Sequence, residues 1–162
     1  MYLFCGLGMS GLVSREYPRY AIVAVGAVLI RDNKILLVKR GYPPGKDKWS
    51  IPGGVVEAGE EIYSAAIREL KEETGIEANP LGIVWICNNV VRDGAGRVQY
   101  HYVILDVLFD PNTIDGSLRA GGDVVDAAWV PVDVVMSKDD VSKTVKNLIE
   151  RINKLGLAYI SL

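Results

Sequence analysis

The chain has 162 residues, 49% hydrophobic and 23% charged, and its 18 Lys and Arg against 20 Asp and Glu leave a formal net charge of −2. That length suits one domain able to bury roughly 70% of the surface its unfolded chain exposes, and the composition excludes disorder and collagen-like repeats. The missing basic excess argues against a nucleic-acid polymer as partner, and no apolar run approaches the roughly 18 residues of a membrane span.

Met1 to Val13 is apolar and small, interrupted by Gly6, Gly8, Ser10 and Gly11, with no Lys or Arg before Arg15. It lacks the positive start and unbroken apolar stretch of a secretory signal. Residues 1–18 read as an N-terminal arm for packing on the domain or on a second copy, and Met9 offers an alternative start. Residues 19–162 read as a single domain.

Ala21 to Ile30 is a β-branched apolar run, Arg31-Asp32-Asn33-Lys34 a turn, and Ile35 to Lys39 a returning strand, together a hairpin. Gly41 to Lys48, with Pro43, Pro44 and Gly45, is a loop. Trp49 to Pro52 is a short strand running into Gly53-Gly54. Helix formers dominate from Glu60 to Thr74, and Gly75 is a natural stop. Leu81 to Val91 and Val98 to Phe109 are long strands about the turn Asp93-Gly94-Ala95-Gly96. A Gly- and Asp-rich loop, 115–123, precedes a strand over Ala127 to Val130. Val141, Val145, Leu148, Ile149, Ile152 and Leu155 recur at helical spacing and give an amphipathic C-terminal helix.

Cys5 and Cys87, with a single histidine, make neither a disulfide framework nor a zinc site. They fit two buried or half-buried thiols in a reducing cytoplasm. His101, alone in an apolar strand, is expected to be a packed strand residue.

The chemistry concentrates in Gly54 to Ile76. At about 100° per residue, Glu69, Glu72 and Glu73 share one helix face, and Ala65 and Ala66 one turn earlier leave that face uncrowded. Glu72 and Glu73 fall in the last turn, where the helix dipole disfavours negative charge, and Glu69 has Glu73 rather than a cation at i+4. Arg68, with Glu60 nearby, answers part of this charge. A hard divalent cation with oxygen ligands answers it better. Gly53 and Gly54 permit close backbone approach to a metal or a phosphate.

Gly54, Glu60 and the run Arg68-Glu69-Leu70-Lys71-Glu72-Glu73-Thr74-Gly75-Ile76 fill every fixed position of the pattern G-x5-E-x7-R-E-U-x-E-E-x-G-U. The segment therefore resembles the Nudix hydrolases, and the flanking Trp49-Ser50-Ile51-Pro52-Gly53 is similar too. Together with Lys39-Arg40-Gly41 and Gly121-Gly122-Asp123 ahead of Trp129, it looks most like their ADP-ribose pyrophosphatase-like group. The resemblance implies an α/β (α+β) fold, an α/β/α sandwich with a mixed β-sheet between helices. It implies a cytoplasmic hydrolase that uses Mg²⁺ or Mn²⁺ to cleave the pyrophosphate bond of a nucleoside diphosphate linked to another moiety. ADP-ribose or a related nucleotide sugar is the first candidate substrate. Removal of oxidised nucleoside triphosphates and a non-catalytic nucleotide sensor are the competing readings.

Residue by residue, the resemblance makes the Gly54 carbonyl, Glu69, Glu72 and Glu73 the metal site. It makes Arg68 the group that orients a carboxylate, and Glu60 a support of the loop–helix geometry. The general base is left open between a box glutamate and a later acid, Asp123 or Asp126, and Asp123 is the candidate for an extra metal ligand. Arg40, Trp49 and Gly53 are the expected substrate contacts, with Tyr42, Arg92 and Tyr102 behind them. A homodimer is compatible with the resemblance.

Overall fold

Two strands that alternate faces set up the whole molecule, which the computed structural model describes over residues 14–162. They are β1 (Ile22–Val28) and β8 (Val98–Phe109), and they run parallel at the centre of the main sheet. β5 (Gly53–Val55) adds to β1 and β7 (Pro80–Arg92) to β8, both antiparallel, so the order is β5-β1-β8-β7 and the sheet is mixed.

A second sheet joins β10 (Val124–Pro131), β3 (Lys34–Arg40) and β2 (Ile30–Arg31), with β4 (Trp49–Ser50) on β3. A two-stranded ribbon pairs β6 (Ile76–Glu77) with β9 (Asp115–Gly116). The single mixed sheet expected from sequence is thus divided at Leu29, where the hairpin leaves the main sheet and continues in the second.

On one face of the main sheet lies α1 (Ile62–Thr74). Its Ala65, Ala66 and Leu70 are fully buried against Val25, Ala27, Val107 and Phe109. The two alanines therefore serve the core, where their small side chains let the helix seat closely on the sheet, and not the clearing of the glutamate face. The helix ends as the sequence predicts: Gly75 adopts φ 70°, and its N–H donates to the Lys71 carbonyl.

The other side carries α3 (Lys143–Leu155), capped by Ser142, whose hydroxyl accepts from the Val145 N–H. Val145, Leu148 and Ile149 bury completely or nearly so between the two sheets, each contributing roughly 1.5–3 kcal/mol by transfer from water. The main sheet thus lies between α1 and α3, the α/β/α arrangement expected.

Smaller elements depart from expectation. Gly53-Gly54, expected as a loop, forms β5 by pairing with Gly26 and Val25. α1 begins at Ile62 rather than Glu60 because Glu61, with ψ at 146°, is still extended and forms the N-cap. A one-turn helix, α2 (Val132–Val135), and the β6–β9 ribbon carry no periodic signal long enough to read. His101 is half-exposed, its Nε2 2.8 Å from the Asn88 Oδ1. Of the N-terminal arm, residues 1–13, including Cys5 and Met9, lie outside the described residues. Its last part is tied down: the Tyr17 N–H donates to the Gln99 carbonyl at 2.8 Å, and the Tyr17 hydroxyl donates to Asp93 at 3.1 Å. No helix among the described residues is long and apolar enough to cross a membrane.

Candidate active site

The end of α1 gathers the acids. Glu69 and Glu73 are turned inward, Glu73 only 5% exposed, while Glu72 stays more open. The Glu73 carboxylate accepts from the Gly53 N–H at 3.0 Å, which ties helix to β5. Burial still pushes its carboxyl up to about 8, with the Gly53 amide opposing and the charges of Glu69 and Asp123 adding to the rise. Glu69 is raised by burial as well, and the Arg68 hydrogen bond offsets it only in part.

Arg68 is the internal counterweight. Its Nε donates to Glu60 Oε1 at 2.8 Å and its Nη2 to Glu60 Oε2 at 2.9 Å, a bidentate pair. Its Nη1 donates to Glu69 Oε1 at 2.7 Å and stands 3.6 Å from Glu72. Glu60 also accepts from the Glu57 N–H, so Arg68 first and that amide second hold its carboxyl down at about 2. Arg68 thus bridges Glu60, just before the helix, to Glu69, and Glu60 in turn holds the Glu57 amide of the preceding loop.

Asp123 arrives through the backbone. Helix termini leave carbonyls without intrahelical partners, and here the 117–123 loop supplies donors. The Arg119 N–H reaches the Thr74 carbonyl at 2.9 Å and the Gly121 N–H reaches that of Glu73 at 3.0 Å. A Cβ at Gly121 would strike the Glu72 carbonyl, so glycine is what lets the loop dock. Docking brings Asp123 close enough to raise both Glu69 and Glu73. Asp126 lies on β10, its carboxylate accepting from the Ala127 N–H, away from this group.

Gly54 sits against the Glu69 carboxylate so closely that a Cβ there would collide with it. The donor set is thus three glutamates, an aspartate and a backbone carbonyl, all hard oxygens, partly stripped of water and mutually repelling. Such a set fits a divalent cation of the magnesium class. Among the described residues, no three of these groups converge on one point as they stand, since Glu69 leans to Arg68 and Glu73 to Gly53.

The acids form one end of a cleft of about 690 Å³ between the main sheet and the start of α3. Arg40 and Gly53 line it, and the Arg40 Nε donates to the Pro44 carbonyl at 2.9 Å. Trp49 does not line it: the ring packs in the second core, and the Trp49 backbone bridges to Val141. Tyr102 lines the floor, whereas Tyr42 projects into solvent and Arg92 bonds the Gly96 carbonyl of its own hairpin.

The sequence reading missed Asp106, Ser50, Asn89 and Arg15, all in the cleft wall. For Asp106 a signal existed, because it is the lone charge in the run Val103-Ile104-Leu105-Asp106-Val107-Leu108. The others become visible only when the strands are paired.

A family model described as NUDIX domain matches residues 21–152. The chain is 41% identical over 120 residues to an ADP-ribose pyrophosphatase of Methanocaldococcus jannaschii, a match covering 71% of this chain and 68% of that protein. Among solved structures it is similar in fold to a MutT NUDIX hydrolase from Burkholderia pseudomallei, at 24% identity and TM-score 0.72, covering 83% of this chain and 99% of that one. It is also similar to a bifunctional NMN adenylyltransferase/ADP ribose pyrophosphatase from Francisella tularensis, at 27% identity and TM-score 0.64. That match covers 85% of this chain and 42% of the other.

Proposed function

The chain belongs to the NUDIX domain family and is a Nudix pyrophosphohydrolase, and from that premise we propose that it splits the pyrophosphate bond of ADP-ribose or a related nucleotide sugar with the help of Mg²⁺ or Mn²⁺. The carrying observation is the group of desolvated, mutually repelling carboxylates at the end of α1, which Arg68 beside Glu69 and the charge of Arg40 near Glu73 answer only in part. The name of the Methanocaldococcus jannaschii relative supports the substrate.

Glu69, Glu72, Glu73, the Gly54 carbonyl and Asp123 would hold the metal. When bound, such an ion supplies charge neutralisation for the phosphate oxygens and acidifies water. The chain's own residues do the rest. Arg68 holds one oxygen of the Glu69 carboxylate and the Gly53 amide one oxygen of Glu73, which keeps both acids beside the site, and the second oxygen of each would turn to the ion. Arg40, beside the acids, is placed to draw in the substrate's phosphates. Proton removal from the attacking water falls to a carboxylate of the same group, Glu72 or Asp123. The products would be AMP and a sugar phosphate. The domain would span residues 19–162.

The test is a panel of ADP-ribose, other nucleotide sugars and nucleoside triphosphates incubated with Mg²⁺ or Mn²⁺, with products identified by mass. AMP and ribose 5-phosphate from ADP-ribose are expected. Preferential release of pyrophosphate from a triphosphate would replace this reading, and folded but uniformly inactive protein would favour a nucleotide sensor.

A further inference from the structure

Beyond the acids, the cleft floor is one face of the main sheet, and its composition changes along the strands. The register aligns Gly53, Gly26 and Asp106 in one row across β5, β1 and β8, and Val55, Ala24, Ile104 and Cys87 in the next. The second row is apolar and flat. The first has two glycines and then a carboxylate. A Cβ at Gly26 would strike the Asp106 Oδ1 and the Ile51 side chain, so the Asp106 carboxyl lies over that glycine.

Asp106 is 3% exposed, and its only exposure is to the cleft it lines. Burial pushes its carboxyl up to about 7, and among the described residues no hydrogen bond or cation offsets the cost. On the same cleft, the Ser50 hydroxyl is buried with no partner among the described residues. Two buried polar side chains without partners are expensive, and both border a space large enough for a ligand. Neither belongs to the acid cluster, and nothing in the pyrophosphate chemistry uses them.

We propose that Asp106, with Ser50, reads the nucleobase of the substrate by accepting hydrogen bonds from an exocyclic amino group, so that amine-bearing bases are preferred to their oxo counterparts. Gly53 and Asp106 are two strand spacings apart, roughly 10 Å, the reach of one ribose between a phosphate held at β5 and its base. The flat row of Val55, Ala24 and Ile104 suits the face of a planar ring and offers nothing to a sugar's hydroxyls. An ionised Asp106 facing an oxo group would set acceptor against acceptor, so the preference belongs to the carboxylate form and is measured above pH 7. A site built to hydrogen-bond one group rejects the analogue that lacks it.

The inference rests on the proposed function for the identity of the base, and its test separates the two. kcat and KM are measured for ADP-ribose and for its hypoxanthine analogue with wild type, Asp106→Asn and Ser50→Ala, alongside circular dichroism to confirm folding. Wild type should favour the amino substrate by at least about tenfold in kcat/KM. Asp106→Asn, whose amide can present either a donor or an acceptor, should lose most of that preference through KM, and Ser50→Ala part of it. A purely structural role for Asp106 would lower both substrates together and leave their ratio unchanged. An active wild type that cleaves both equally, or folded variants with the ratio intact, overturns the inference alone. A wild type inactive on every nucleotide overturns the functional reading and the inference with it.

Discussion

The two faces of the main sheet are made by the same strands and differ only in which residues of the alternation they present. Toward α1, Val25, Ala27, Val107 and Phe109 close over the helix without a gap. Toward the cleft, the intervening positions are Ala24, Gly26, Ile104 and Asp106, which mix small, apolar and acidic side chains where the first face is apolar throughout. One face is packed for stability. The other is left open at a cost, because a buried carboxyl with no partner opposes folding. The open face is where substrate-sized space and unpaired polar groups coincide, and its acidic border is supplied by the end of the helix that the closed face holds in place.

The strongest way to break that division of labour is at the helix end. Glu73→Gln keeps the shape and the Gly53 hydrogen bond but removes a charge from the donor set. Turnover should fall by about 10³-fold. Folding should improve, because Glu73 must take up a proton or carry a desolvated charge to fold, and a neutral amide does neither. Thermal melts with and without Mg²⁺ provide the second check: the ion should raise Tm in wild type, by mass action on the folded state, and much less in the variant. Retained activity would remove Glu73 from the site.

Asp106 sharpens the comparison from the floor. In the folded chain its carboxyl titrates near 7 against 3.8 for the free group. Between those values the folded state binds the extra proton, so stability falls as pH rises from about 4 to about 7 and then levels off. Asp106→Asn has no such slope. It should match wild type near pH 4 and exceed it at pH 8 by up to about 4 kcal/mol. Urea denaturation at the two pH values measures the difference. A variant that is less stable at pH 8 would mean that the carboxyl has a partner in the folded protein.

Much of this was legible in the sequence where a local rule acts. The Gly75 stop, the two long strands about Asp93-Gly94 and the stripe Val141 to Ile152 each carry their signal within a few residues. The acidic box was readable because its spacing puts three carboxylates against a helix dipole of the wrong sign. What escaped depends on register and docking. Gly53 becomes a strand residue only beside Gly26, and Trp49 proves to be core only once β4 meets the chain at Val141. Asp123 joins the acids because amides of a distant loop satisfy the last carbonyls of α1, a long-range contact that no periodicity encodes.

The smallest effect expected separates the bracing of the acids from their chemistry. Arg68 touches three carboxylates, and its fork with Glu60 is bidentate. Arg68→Lys keeps the charge and loses that geometry, since an ammonium cannot span both Glu60 oxygens while reaching Glu69. The pair is partly solvated, so the stability loss should be small. Activity should fall about tenfold to a hundredfold, because a Glu69 carboxylate free to rotate no longer arrives oriented. The two effects can be told apart by raising Mg²⁺: a loosened ligand set should recover turnover at higher concentration, with the apparent affinity for the ion weakened and the limiting rate less affected. A variant insensitive to Mg²⁺ concentration would place Arg68 on the substrate instead of on the glutamates.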